Sequence, residues 1–256
     1  MRIVLVGAGN VAGCMAGALK EAGHELVCIY SRTGEHARAL AESAGTQYVT
    51  DLSLLPDAEV FIVMLRDDAL LQNASAIVST HPDAVFLHTS GSVPLSVWQD
   101  AGARRYGVMY PLQTFSRGKR IDWSSVPLFI EADCAEDELV VRNLALTLSP
   151  VVTVLDSEHR CRMHLAAVFA CNFSNRMYAI CEALMKECNV PFEYMLPLIT
   201  ETAVKVAAMS PKDAQTGPAV RGDERVMAMH RDALDNSPVW REIYELVSDD
   251  IKNAYK

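Results

Sequence analysis

Short apolar runs alternate with stretches of helical period over the first 155 residues, and helical period alone remains afterwards. Ile3-Val4-Leu5-Val6 is wholly apolar, the pattern of a parallel strand buried on both faces. Behind it, Val11, Met15, Ala18, Leu19 and Ala22 recur at i, i+4, i+7, i+8 and i+11, one face of a helix that Gly23 closes. The same alternation predicts strands over 25–30, 47–49, 60–65, 84–88, 106–109, 126–131 and 151–155. Helices are expected over 35–44, from the residues after Arg66 to Val78, over 94–101 and over 135–148. About eight strands alternating with helices predict an α/β fold, with a Rossmann-type, doubly wound, mostly parallel sheet in residues 1–155. From Asp156 the texture changes, and a separate all-α domain is expected over 156–256. Its helices are read over 158–188, 192–208, 224–234 and 239–254, with a loop over 216–223 and prolines as punctuation.

Gly7-Ala8-Gly9-Asn10-Val11-Ala12 stands between the first strand and the first helix. Gly7 allows the tight turn, Gly9 lets a pyrophosphate approach bare backbone, and Ala12 permits close packing of helix on strand. The free N–H groups and dipole at the start of that helix favour an anion. Such a turn also occurs without a ligand, but its place between a buried strand and an amphipathic helix points to a dinucleotide. Gly7, Gly9, Asn10 and Val11 are the expected contacts. After the second strand comes Ser31-Arg32, where an NAD enzyme places an acid about 20 residues beyond the glycines. A serine and an arginine suit a 2′-phosphate, so the cofactor read here is NADP (NADPH when reduced). A solvated loop cation is the plainer reading of Arg32. Leu65 and Arg66 end another buried strand and should lie beside the cofactor, while Asp67 or Asp68 caps the helix that follows. His88-Thr89-Ser90-Gly91-Ser92 ends the next strand in small residues that leave room for a nicotinamide or a substrate. Ser90 is assigned to the cofactor, and His88 and Gln113 to the substrate.

Composition narrows the setting. A chain of 256 residues suits one large domain or two modest ones, and it has no uncharged run of membrane-spanning length. The first residues enter a strand directly, without a leader pattern. Seven scattered cysteines without a Cys-x-x-Cys pair suit a reducing cytoplasm, with neither a disulfide framework nor a metal site. The net charge of −9 argues against general nucleic-acid binding. A cytoplasmic protein acting on a small molecule, away from membrane and nucleic acid, is the expectation.

With these segments in view, the chain resembles the candidate NADP oxidoreductases that join a Rossmann-like domain to a helical domain of unknown function. The residues that carry the resemblance are Gly7 to Ala12, Ser31-Arg32, His88 to Ser92 and Tyr110-Pro111-Leu112-Gln113-Thr114-Phe115. In the second half they are His164 to Asn175 and Thr216-Gly217-Pro218-Ala219-Val220-Arg221-Gly222-Asp223. The group is similar to the 6-phosphogluconate and β-hydroxyacid dehydrogenases, the pyrroline-5-carboxylate reductases and the deazaflavin-dependent NADP reductases. The resemblance implies the fold, the cofactor and a cleft between domains. Two positions depart from the relatives. Tyr110 stands where they often have histidine, and Val168 stands four residues before Asn172 where the hydroxyacid dehydrogenases have lysine.

Hydride delivery to C=O or C=N needs a proton on the heteroatom, and a histidine exchanges one readily near neutrality. His164 is therefore the candidate acid, with a polar contact between helices as its plainer reading. Asn172, about 80° around and about 12 Å along an ideal helix from His164, would hold a carboxamide or a substrate oxygen. An interhelical hydrogen bond is its alternative. Arg221 could bind a substrate carboxylate or pair with Asp223, itself read as a helix N-cap. Two functions follow. One is an NADP-dependent oxidoreductase moving a hydride between the nicotinamide and a small oxo, imino or hydroxy compound in the interdomain cleft. The other is a non-catalytic NADP-binding or sensing protein on the same fold. Alanine- and methionine-rich C-terminal helices suggest a homodimer.

Overall fold

In the computed structural model, which describes residues 1–255, one eight-stranded sheet carries the N-terminal part of the chain. Its strands are β1 (Arg2–Val6), β2 (Glu25–Tyr30), β3 (Gln47–Val49), β4 (Val60–Val63), β5 (Val85–His88), β6 (Arg105–Pro111), β7 (Leu128–Ala132) and β8 (Val152–Val154). They lie in the order β3-β2-β1-β4-β5-β6-β7-β8. Every pair is parallel except β6 and β7. The run from β3 to β6 is the doubly wound order, and its reversal falls between β1 and β4, where such folds bind ligands. Helices α1 (Asn10–Glu21), α2 (Gly34–Ala44), α3 (Asp67–Thr80), α4 (Ser96–Asp100) and α5 (Ala135–Leu146) join the strands.

The all-apolar strands are buried because both sheet faces are covered. On one face Ile3, Leu5 and Ile62 pack with Met15 and Leu19 of α1 and Leu144 of α5. On the other, Val4, Val6, Phe61 and Phe86 pack with Leu70 and Ile77 of α3 and with Trp98 of α4. Ala12 is wholly buried, as the close helix–strand approach requires. Gly23 and Gly45 follow α1 and α2 in the left-handed region (φ 85° and 64°), so these helices stop where their glycines stand.

No strand follows β8 among the described residues, and α6 (Ser157–Ala167) begins with Asp156 as its N-cap, accepting from the His159 amide. The chain divides into two compact units, Met1–Asn172 and a second from Phe173 on. The division lies beyond the change of texture at Asp156 because α6 packs with the sheet. The long helix expected over 158–188 is interrupted: Val168–Phe173 is π-helical, and α7 (Ser174–Glu187) resumes after it. The second unit continues with α8 (Leu196–Ala208), α9 (Pro211–Ala214), α10 (Pro218–Arg221), α11 (Glu224–Ala233) and α12 (Pro238–Ala254). A short helix, α10, thus occupies part of the segment expected to be loop. Among the described residues no helix is long and apolar enough to cross a membrane.

Candidate active site

The glycine turn is shaped by its neighbours. Gly7 has φ 129°, and a Cβ there would meet the Met64 carbonyl oxygen at 2.6 Å, so strand end and backbone conformation both demand glycine. Nothing lies within 4 Å of the Cβ position of Gly9, which leaves bare backbone open to a ligand. Gly9 caps α1 without a side-chain hydrogen bond, so the first amides of the helix have no capping side chain. Gly7, Gly9, Ser31, Arg32, Leu65 and Arg66 line one pocket of about 460 Å³. Its one carboxylate, Asp68, pairs with Arg66 at 3.5 Å. A glycine cradle with serine and arginine at the end of β2, and no acid there to hold a ribose diol, fits a phosphorylated dinucleotide. Asn10 is turned elsewhere: its Nδ2 donates to the Phe115 carbonyl at 3.1 Å and ties the turn to the loop after β6.

A smaller pocket of about 230 Å³ adjoins Leu65 and is also lined by Val11, Asp67, Ser90, Gly91, Tyr110 and His164. Asp67 does not cap α3, whose N-cap is Arg66 without a side-chain bond. Instead its Oδ1 accepts a 2.7 Å hydrogen bond from Ser90 Oγ. Ser90 Oγ in turn accepts from the amides of Ser92 (3.1 Å) and Val93 (3.0 Å), so the β5 end is a closed polar turn.

His164 lies over that turn. Its Nδ1 is 2.9 Å from the Tyr110 hydroxyl, with the two rings edge to face at 5.8 Å. Tyr110 is 7% exposed, and burial raises its phenol pKa while the charge of Arg160 pulls the other way. Arg160, one helical turn before His164, fixes the helix. Its guanidinium is 1% exposed, pairs with Glu131 of β7, and donates to the Val93 carbonyl at 2.6 Å and to Ser157 Oγ at 3.2 Å. Ser157 Oγ also donates to Glu131 Oε2 at 2.8 Å and accepts from the Leu95 amide at 2.8 Å. The first turn of α6 is thereby bolted to β7 and to the chain after β5, and His164 follows one turn on.

Other residues singled out from sequence lie differently. His88 is fully buried, so the expected substrate contact has no surface on which to act. Its Nδ1 accepts from the Ser90 amide at 3.2 Å and its ring packs by Trp98. Burial, with Arg160 nearby, pushes its pKa down to about 3, so the ring is neutral. Gln113 is exposed, its Oε1 bonded to the Thr114 amide at 2.8 Å, and it lines neither pocket. Asn172 is exposed on the π-helical stretch, whose wider i→i+5 turns cancel the angle expected from ideal α geometry. Arg221 ends α10, exposed. Asp223 caps α11 by accepting from the Val226 amide at 3.2 Å, and no Arg221–Asp223 ion pair occurs among the described residues. The framework of Glu131 and Arg160 was missed, and Gly91, read as room for a ligand, makes room for the His164 ring instead. The four-residue spacing of Arg160 and His164 was the available signal.

A doubly wound sheet with a bare glycine turn at β1 and a basic residue after β2 defines a Rossmann dinucleotide-binding protein. Residues 2–89 match the family model described as NADP oxidoreductase, coenzyme F420-dependent, and residues 126–251 match a domain of unknown function, DUF2520. A candidate NADP oxidoreductase of Bacteroides fragilis is 46% identical, with a TM-score of 0.94 over 98% of each chain. The chain therefore belongs to the NADP oxidoreductase family that joins these two domains. Two remoter solved structures share the fold. An imine reductase of Myxococcus stipitatus in complex with NADP+ is 13% identical over 100% of this chain and 93% of its own, with a TM-score of 0.68. A 1-pyrroline-5-carboxylate reductase of Streptococcus pyogenes is 17% identical over 99% and 98%, with a TM-score of 0.62. No curated protein matches the chain.

Proposed function

We propose that the chain moves a hydride between NADPH and a small oxo, imino or hydroxy compound, with His164 serving the substrate heteroatom as proton donor. Gly7, Gly9 and the start of α1 would hold the pyrophosphate, Ser31 and Arg32 the 2′-phosphate, and Leu65, Arg66 and Ser90 the nicotinamide half. The dinucleotide supplies the hydride. The observation that carries the reading is the position of His164: it lines the same small pocket as Val11, at the glycine turn, and Leu65 and Ser90, at the ends of β4 and β5. Within that pocket it is the imidazole, the side-chain type most often used as a general acid or base. Asn172 and Arg221 remain the proposed holders of substrate oxygen and carboxylate. A panel of small ketones, aldehydes and cyclic imines, followed by NADPH absorbance, tests the activity. His164→Ala should then lower kcat by ~10²–10⁴ with NADPH affinity unchanged. Full turnover by that variant would place the donor elsewhere.

We also propose that the chain works as a homodimer through its C-terminal helices, in the cytoplasm. Among the described residues from Phe173 on, only Met185, Ala219, Met227 and Leu234 are buried apolar side chains. Helix α8 buries nothing, and Leu196, Leu198, Val204 and Val206 on it are 47–62% exposed. A unit with so little core leaves more apolar surface than a monomer ordinarily shows. A monomer mass in light scattering at micromolar concentration would reject the dimer.

A further inference from the structure

The geometry points to a role for Tyr110 that deepens the proposed function: it is a positioning residue that holds neutral His164 as the tautomer protonated on Nε2. The inference assumes only that the pair forms as described, while its use in catalysis rests on the proposed function. Tyr110 lies at the end of β6 and is nearly fully buried, and the one hydrogen-bond partner of its hydroxyl among the described residues is His164 Nδ1, at 2.9 Å. A phenol in such a place keeps its proton through the neutral range. That proton needs an acceptor, because an unmatched buried donor is costly. The lone pair of Nδ1 is the acceptor that answers it. A neutral imidazole has one proton for two nitrogens, so it must then sit on Nε2. The opposite arrangement, with Nδ1–H donating to the phenol oxygen, would strand the hydroxyl proton.

The surroundings leave the ring little freedom to choose otherwise. Gly91 admits the imidazole where any larger residue would collide with it: a Cβ would lie 2.6 Å from both Cγ and Nδ1. Arg160, through Glu131, Val93 and Ser157, fixes the helix that carries the ring. Nε2 makes no hydrogen bond among the described residues and is not among the buried polar atoms left without one. It is the nitrogen available to a ligand. The consequence is chemical. Protonated His164 carries hydrogen on both nitrogens, and neutral His164 carries it on Nε2, so in either state the available nitrogen presents N–H to a substrate oxygen or nitrogen. In the protonated ring Nδ1–H points at the phenol oxygen, which can accept it, but the hydroxyl proton then has no acceptor in the pair, so the matched arrangement is that of the neutral ring. Such a pair keeps the donor aimed, and its loss should act on kcat more than on binding.

The test reads the tautomer directly, with no need for a substrate. The whole protein labelled with ¹⁵N-histidine is examined by NMR above the titration range of imidazole, with His164→Gln used to assign the signal. In wild type, His164 should show one pyrrole-type nitrogen, Nε2, and one pyridine-type nitrogen, Nδ1. In Tyr110→Phe the two nitrogen shifts should move toward each other as a mixture of tautomers appears. Nδ1–H in wild type, or the same shifts in both proteins, would overturn the assignment, and should Tyr110→Phe fail to fold, the wild-type spectrum alone decides. With a substrate in hand, Tyr110→Phe should lower kcat about tenfold with KM and NADPH affinity within about twofold. The Nε2–H tautomer together with full turnover by His164→Ala would leave the positioning intact and remove the proposed function of His164 as proton donor.

Discussion

Gly91 and His164 share one volume: a methyl group on Gly91 would stand 2.6 Å from the Cγ and Nδ1 atoms of the imidazole. The backbone at Gly91 is not left-handed, so the demand for glycine there comes from the histidine ring. Gly91→Ala should push the ring off Tyr110 and cost about 1–3 kcal/mol in stability, as overpacking does. Urea unfolding reads the cost, and the His164 nitrogen shifts read the displacement. An alanine variant with wild-type stability and shifts would mean the ring has room to move.

Arg160 is a buried cation whose partners belong to three different segments. Removing one side of a buried ion pair leaves the other uncompensated, so Arg160→Ala should cost about 3–5 kcal/mol. Glu131→Gln should cost less, because an amide oxygen still accepts. Denaturant titration of the two variants gives the order, and an equal loss in both would locate the energy in the charge rather than in the hydrogen bonds.

Arg32 stands at the pocket edge with no acid beside it at the β2 end. Arg32→Ala should weaken NADPH by ten- to a hundredfold, the loss of roughly 1.5–3 kcal/mol for a charge-assisted contact. NADH affinity should stay the same. Calorimetric titration with both cofactors checks it, and equal NADPH affinity in the two proteins would move the 2′-phosphate elsewhere.

His88 ties stability to pH. The fold holds it neutral, with its pKa down at about 3, whereas a free imidazole titrates near ~6.5. Below that higher value the unfolded chain takes up a proton that the folded chain refuses. The stability it contributes is therefore complete above ~6.5 and is lost as pH falls toward the folded value, by at most about 1.4 kcal/mol per pH unit. His88→Asn keeps an acceptor for the Ser90 amide and removes the titration. Its unfolding free energy should fall less steeply with acid than that of wild type. Parallel slopes would mean that His88 charges within the fold.

The sheet was legible because its strands are apolar on both faces and its helices carry one apolar stripe each. Glu25–Tyr30 and Gln47–Val49 fall where the pattern placed them. The glycine turn was legible too, since Gly7 and Gly9 have separate mechanical duties that the spacing announces. The polar groups of the β5 end were harder. His88 is the last residue of β5, a strand covered on both faces, while Ser90 stands two residues beyond it, so sequence alone does not say which one points to the core. Asp67 looked like a cap because capping is local, whereas its actual partner, Ser90, arrives from another strand. The π-helical turn at Val168–Phe173 left no trace in a periodic apolar pattern. The Tyr110–His164 contact spans two elements whose approach is set by Arg160, and no single window of sequence contains all three.

The strand order has a consequence for how the protein is made. β1 precedes the other seven strands of the sheet in sequence and has β2 on one side and β4 on the other. As the polypeptide leaves the ribosome, β2 and β3 can dock beside it at once. The opposite edge, Ile3 to Val6, stays bare until Val60 to Val63 emerge to cover it. An apolar edge held open is the part of a nascent sheet most prone to pair with the wrong neighbour. The glycine turn sits at the end of that edge and takes its final shape only when Met64 arrives against Gly7, so the cradle for the dinucleotide is completed together with the closing of the sheet.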